Sequence, residues 1–385
     1  MGVQSASISL LRLGRLERRP ELDALRGLFL VWMTLTHLPT HVSELVNQSF
    51  GFLSSAEGFV SISALLIARL YLRQAAEDGP ALRAKLQKRA LRLYGYHVTL
   101  LLLAFTFAAA FAVKTHRAAL LNLLNFYLAH PFTAVIGSLL LIYCPPLLDI
   151  LPMYITFLLM TPYILSYASR RGWTRILFTS FSIWALAQFG LRTWVHDIVV
   201  RITHLHIPLQ ETGAFNLFAW QLIWVLGMWI GARSAEGPVP FQRLPRFAYP
   251  LSVIVCLVFL GARHGWFGPH LDQQALGMTI DKWQIGPLRL LNFAAFACLL
   301  YWIRRPAVRV LQIPPLVTLG RASLEVFCAH LIFVFTGLAL LYGETTQLQG
   351  AYAVGLITLT FAGLLAVALR QVRPKKEQGQ KQPVT

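Results

Sequence analysis

The chain has 385 residues, of which 56% are hydrophobic and 13% charged, with a formal net charge of +18. Soluble domains average about 45–50% apolar and ~25% charged residues, so a soluble globular protein is excluded, as are disordered and coiled-coil classes. In a chain this apolar the basic surplus marks cytoplasmic loops rather than a nucleic-acid-binding face.

Residues 1–20 read as a basic cytoplasmic N-terminus carrying Arg12, Arg15, Arg18 and Arg19. No small-residue cleavage site closes the apolar run that follows, so that run is expected to stay as a first span rather than leave as a signal peptide. A helical span needs roughly 17–25 apolar residues. The candidate spans are 26–46, 50–72, 91–113, 145–168, 174–191, 215–232, 247–263, 286–303, 316–341 and 351–370. Residues 118–143 are also apolar, but Asn122, Asn125 and Pro131 interrupt them, and they read as interfacial or re-entrant helices. Pro145, Pro146, Pro152 and Pro162 should kink or delay the fourth span.

Charge tests the count. With the N-terminus inside and strict alternation, the inner segments 1–26, 73–92, 170–175, 233–246, 304–309 and 370–385 hold 25 of the 34 lysines and arginines, and the outer segments hold 6. Such a bias predicts ten spans with both termini cytoplasmic. The fold class is therefore all-α, a polytopic transmembrane bundle of about ten spans. One integral-membrane domain covers 21–370, and a disordered basic cytoplasmic tail covers 371–385.

Ionisable residues within spans are costly and are functional candidates by default. Arg26 and His37 are eleven residues apart, which is three helical turns plus 20°, so they share a face about 16 Å apart along the axis. Arg26 sits at the cytoplasmic mouth and His37 near the midplane, with Asp23 placed to pair with Arg26. Glu57 enters from the other side to a similar depth. A carboxylate beside a histidine fixes its tautomer and raises its basicity, giving either an acid/base centre or a simple bridge between two helices.

Arg89 and Arg92 share a helix face, either as a phosphate-docking pair or as ordinary positive-inside anchors. The ninth span carries Arg321, Ser323, Glu325 and His330. Arg321 and Glu325 are spaced to pair, and His330 could line the same cavity as His37. Gln221, Gln188 and Asn292 read as bridges between helices. His196, His204 and His206 read as solvent-exposed residues of an outer loop. The four cysteines are scattered through apolar runs, so no metal site and no disulfide framework is expected. No P-loop, dinucleotide-binding glycine motif or G-x-S-x-G is present.

The stretch Glu21–Gly27 with His37 following Arg26 resembles the arginine-to-histidine motif of the membrane acyltransferase-3 superfamily. Ala56-Glu57-Gly58-Phe59-Val60 with Ser63, Lys88–Tyr94, Ile150–Tyr154, Phe215–Gln221 and Leu319–Leu324 running to His330 resemble its OpgC branch, in order along most of the chain. Where that family usually reads Leu-Ser-Gly, this chain has Ile62-Ser63-Ala64, which alters local packing more than chemistry.

The resemblance implies an inner-membrane O-acyltransferase that succinylates osmoregulated periplasmic glucans. His37 would be the general base and Glu57 its orienting partner. Arg26, Arg89 and Arg92 would hold the acyl-CoA donor, succinyl-CoA by family analogy, with no bound cofactor. Asp23, Ser63, Arg321, Ser323 and His330 would support the site, and Arg321 is the candidate cation for a dicarboxylic acyl group. The partners implied are acyl-CoA, a periplasmic or surface glycan and the lipid bilayer, with no nucleic acid. The rival reading is a transporter or flippase for an anionic lipid or glycan that uses the same buried groups as a proton relay.

Overall fold

The computed structural model describes residues 19–237, 239–268, 276–304, 312–341 and 347–372. Residues 1–18 and 373–385, which hold most of the two expected terminal segments, lie outside the described residues, as does most of the expected inner segment 304–309. Among the described residues the chain is helical and has no β-strand.

Every expected span interval contains a helix. Five helices are long and apolar enough to cross a membrane: Ser55–Glu77, the continuous Gly79–Thr115, Ile150–Arg171, Ser323–Leu340 and Gly350–Val372. Ala248–Arg263 and Pro287–Trp302 are shorter apolar helices. Large apolar side chains such as Phe178, Leu359 and Phe132 are exposed on the surface, as suits a bundle surrounded by apolar solvent.

Two expected spans are broken. The first is α1 (Pro20–His37), which stops at His37, followed by α2 (His41–Val46). Pro39 causes the stop, because the residue before a proline is pushed out of the helical region and Leu38 is extended at φ −67°, ψ 131°. His37 is thus the last residue of a helix rather than the middle of one. The ninth divides at Ala322 into α15 (Pro314–Arg321) and α16 (Ser323–Leu340).

Between these lie α3 (Ser55–Glu77), α4 (Gly79–Leu103), which continues through a π-helical turn at Ala104–Ala108 into α5 (Ala109–Thr115), and three short helices. The short helices are α6 (Ala118–Leu123), α7 (Asn125–Ala129) and α8 (Pro131–Leu139), broken beside Asn125 and Pro131. The proline turn at 145–149 delays α9 until Ile150, and Pro162 falls inside this helix, which runs to Arg171. Then follow α10 (Thr174–Gln188), α11 (Leu191–Thr203), α12 (Leu217–Glu236), α13 (Ala248–Arg263), α14 (Pro287–Trp302) and α17 (Gly350–Val372).

Glycine sets two of the closest approaches. A Cβ on Gly27 of α1 would collide with the Leu316 carbonyl of α15, and one on Gly320 would collide with the Asp23 carbonyl. Gly227 and Gly231 of α12, one turn apart, meet the Ser61 and Leu65 carbonyls of α3 in the same way. Small residues at this spacing let backbones touch, which is how helices associate where lipid removes the hydrophobic drive. These two contacts hold α1 and α3 and thereby fix Arg26, His37 and Glu57.

Candidate active site

Two cavities meet inside the bundle. One, a narrow space, is lined by Arg26, Arg89, Phe59, Tyr154, Ile150 and Phe327 among others. The second, of about 400 Å³, is lined by His37, Lys282, Trp283, Asp149, Phe215 and Cys144, and again by Ile150 and Phe327. Those two shared side chains form the partition between an arginine chamber and a histidine chamber.

In the arginine chamber Arg26 is 9% exposed and stands 5.4 Å over the Phe59 ring. The Tyr154 hydroxyl, the Arg89 guanidinium and the Asp23 carboxylate all act on it electrostatically, and of these Arg89 and Tyr154 share its cavity. Two like charges on one small cavity favour a polyanionic occupant. Arg92 is exposed and does not line this chamber, so only one of the two residues expected beside Arg26 is brought to it.

In the histidine chamber His37 meets His330, not Glu57. His37 Nδ1 lies 3.3 Å from His330 Nε2, and His330 Nδ1 lies 2.5 Å from the Phe327 carbonyl. A carbonyl only accepts, so His330 Nδ1 carries the proton and, in the neutral ring, Nε2 does not. His37 Nδ1–H must then donate to His330, which leaves His37 Nε2 with a free lone pair. A backbone carbonyl thus sets the tautomer of both rings, the role expected of Glu57.

Glu57 is fully engaged elsewhere. It is 1% exposed; Oε1 accepts from Arg289 Nε at 2.5 Å, and Oε2 accepts from Ser54 N at 3.1 Å and Ser54 Oγ at 2.5 Å. The Ser54 contacts form a capping box at the start of α3. No hydrogen bond links Glu57 to His37 among the described residues, which corrects the expected orienting contact.

Arg321 does not pair with Glu325. Because the helix breaks at Ala322, the four-residue spacing no longer puts the two on one face, and Arg321 Nε turns to Asp23 Oδ2 at 3.8 Å. Asp23 therefore serves Arg321 as well as lying near Arg26. Arg321 lines neither chamber. Ser63 and Ser323 are both buried, and neither lines a chamber. Gln221, Gln188 and Asn292 bridge helices or loops, to Ser180, Gln284 and Phe52 respectively. His196 is not a bare surface residue, because it contacts Asp197 at 3.2 Å and the Ile207 carbonyl at 2.8 Å.

Sequence reasoning gave no role to Arg289 or Lys282. Arg289 carried a signal, being with Arg69 and Arg321 one of the three arginines that fall in neither the inner nor the outer segments. Lys282 carried none, since it counts as one more outer-loop charge. Burial holds its pKa below the usual lysine range, a shift that neighbouring Glu57 partly opposes.

Residues 18–374 match the protein family described as OpgC protein. No curated protein and no solved structure matches the chain.

Proposed function

The chain belongs to the OpgC family, and from that premise we propose that it is an integral-membrane O-acyltransferase. It moves an acyl group, succinyl by the family resemblance, from cytosolic acyl-CoA to hydroxyls of a periplasmic glucan or related glycan. The observation that carries this reading is the partitioned pair of chambers, arginines on one side and a tautomer-fixed histidine on the other. The proposed topology has about ten spans in a bacterial inner membrane with both termini in the cytoplasm, so that the arginine chamber faces the cytosol.

Arg26 and Arg89 take the phosphates or thioester region of the donor, since guanidinium groups recognise such oxygens in bidentate fashion. Arg92, on the exposed face of the same helix, meets the donor on approach. The pantetheine arm passes the Ile150–Phe327 partition and brings the thioester to His37. An acceptor hydroxyl enters from the opposite side and gives its proton to His37 Nε2. Its oxygen bonds to the thioester carbon, the C–S bond breaks, and the departing sulfur takes the proton from His37. The products are an O-acyl ester and free CoA. His330 is a positioning residue, because it acts through His37. Asp23, Ser63, Arg321 and Ser323 support the helices that carry these groups.

The test is mass spectrometry of periplasmic glycans from a host lacking its own acyltransferase, with and without this chain. Ester-linked acyl groups only when the chain is present support the reading. A chain that moves glycan or lipid across membranes without consuming acyl-CoA is a transporter instead.

Arg26→Ala is expected to raise the KM for acyl-CoA about tenfold or more, the worth of one charge-assisted hydrogen bond. The acceptor KM should stay unchanged. Steady-state kinetics with each substrate varied in turn would check this, and an effect confined to the acceptor would remove Arg26 from the donor site.

A further inference from the structure

The loop before α14 is built, not loose. Asn216 N donates to the Trp283 carbonyl at 3.1 Å, Gln188 Nε2 to the Gln284 carbonyl at 2.9 Å, and Trp184 Nε1 to the Ile285 carbonyl at 2.8 Å. Within the loop, Asp281 Oδ1 accepts from Gln284 N at 2.6 Å. Ile285 sits at φ +47°, a conformation that costs a β-branched residue free energy and persists only where surroundings enforce it. This anchored loop carries Lys282 into the wall of the histidine chamber. The side chain rests on the neighbouring indole, its ammonium 4.5 Å from the Trp283 ring centre.

Among the described residues no carboxylate stands within ion-pair distance of Lys282. The nearby acids have other partners: Glu57 holds Arg289 and Ser54, and Asp149 Oδ2 accepts from Ala214 N at 2.9 Å. A half-buried ammonium without a counter-ion loses part of its hydration with nothing in exchange. An occupant that brings an anion to this chamber relieves that cost.

We propose that Lys282 is the specificity-determining residue for the acyl group, binding the free carboxylate of a dicarboxylic acyl chain while the thioester end lies at His37. The inference rests on the acyltransferase reading. It replaces Arg321, which is held by Asp23 outside the chamber. Lys282 and His37 line the same chamber, so an acyl chain whose thioester lies at His37 has its distal end in the chamber that Lys282 also lines.

The experiment compares succinyl-CoA with butyryl-CoA, which has the same chain length and no distal charge, using the full chain purified in lipid nanodiscs. For Lys282→Gln the ratio of kcat/KM values, succinyl over butyryl, should fall at least tenfold through a higher KM for succinyl-CoA. Butyryl transfer should be unchanged, and Lys282→Arg should keep most of the preference. Equal loss of kcat for both donors overturns the proposal and makes Lys282 an oxyanion donor instead. An unchanged ratio also overturns it and leaves the acyltransferase reading intact. A wild-type chain that transfers neither group overturns that reading, and this inference with it.

Discussion

His37→Ala is expected to lower acyl transfer by about 10²–10⁴-fold, the range supplied by a positioned general base. The protein should still insert and purify as the wild type does, because His37 is a half-buried terminal residue of α1 whose one side-chain hydrogen bond among the described residues is the contact with His330. His330→Ala should do less, about 10–100-fold, as residues that orient another group commonly do. The two substitutions should not add, because His330 acts only through His37. Acyl-CoA consumption by the two single variants and the double variant measures this directly. Normal turnover in His37→Ala would remove the proposed base. Full additivity would cut His330 out of the chain that begins at the Phe327 carbonyl.

The largest expected effect on stability is at the Glu57–Arg289 pair. Both side chains are 1% exposed and their contact is 2.5 Å. Arg289→Met leaves a carboxylate in an apolar interior, and removing one member of such a pair costs about 3–5 kcal/mol. Glu57→Gln combined with Arg289→Met should recover much of that loss, since glutamine has no charge to strand and still completes the capping box with Ser54. Thermal unfolding in detergent of the two single variants and the double variant gives the coupling. If Arg289→Met were as stable as the wild type, the pair would not brace the fold. Rate losses in Glu57 variants should track loss of folded protein, in contrast to His37→Ala.

The positions of the helices were legible because apolar runs of span length alternate with clusters of arginine and lysine. The breaks beside Asn125 and Pro131 follow from local rules that act within a few residues; the same rule stops α1 before Pro39, where the apolar run predicts a first span continuing to residue 46. The facing of Arg26 and His37 was legible for the same reason, since helical geometry alone fixes it. What was not legible is pairing between distant segments. Glu57 and Arg289 are 232 residues apart, and His37 and His330 are 293 apart. No periodicity carries such information. The depth argument brought Glu57 level with His37 and chose the wrong partner, because depth fixes one coordinate and leaves the direction of the side chain open. Arg321 and Glu325 failed differently: their spacing rule presumes an unbroken helix, and Ala322 breaks it.

Phe327 contributes to the site twice, by two separable parts of one residue. Its ring is half of the wall between the chambers, and its carbonyl is the acceptor that orders the histidines. Only the first part is written in the codon. An uncharged replacement at 327, proline apart, keeps a carbonyl there, so it should vary the width between the chambers and leave the hydrogen bond that orders His330 and His37 in place. A library of uncharged replacements other than proline at 327 should therefore rank by volume and branching; a charged side chain there would stand beside the His330 ring and shift its proton affinity. On the proposed mechanism, position 327 would tune what passes between the two chambers separately from the acid–base chemistry.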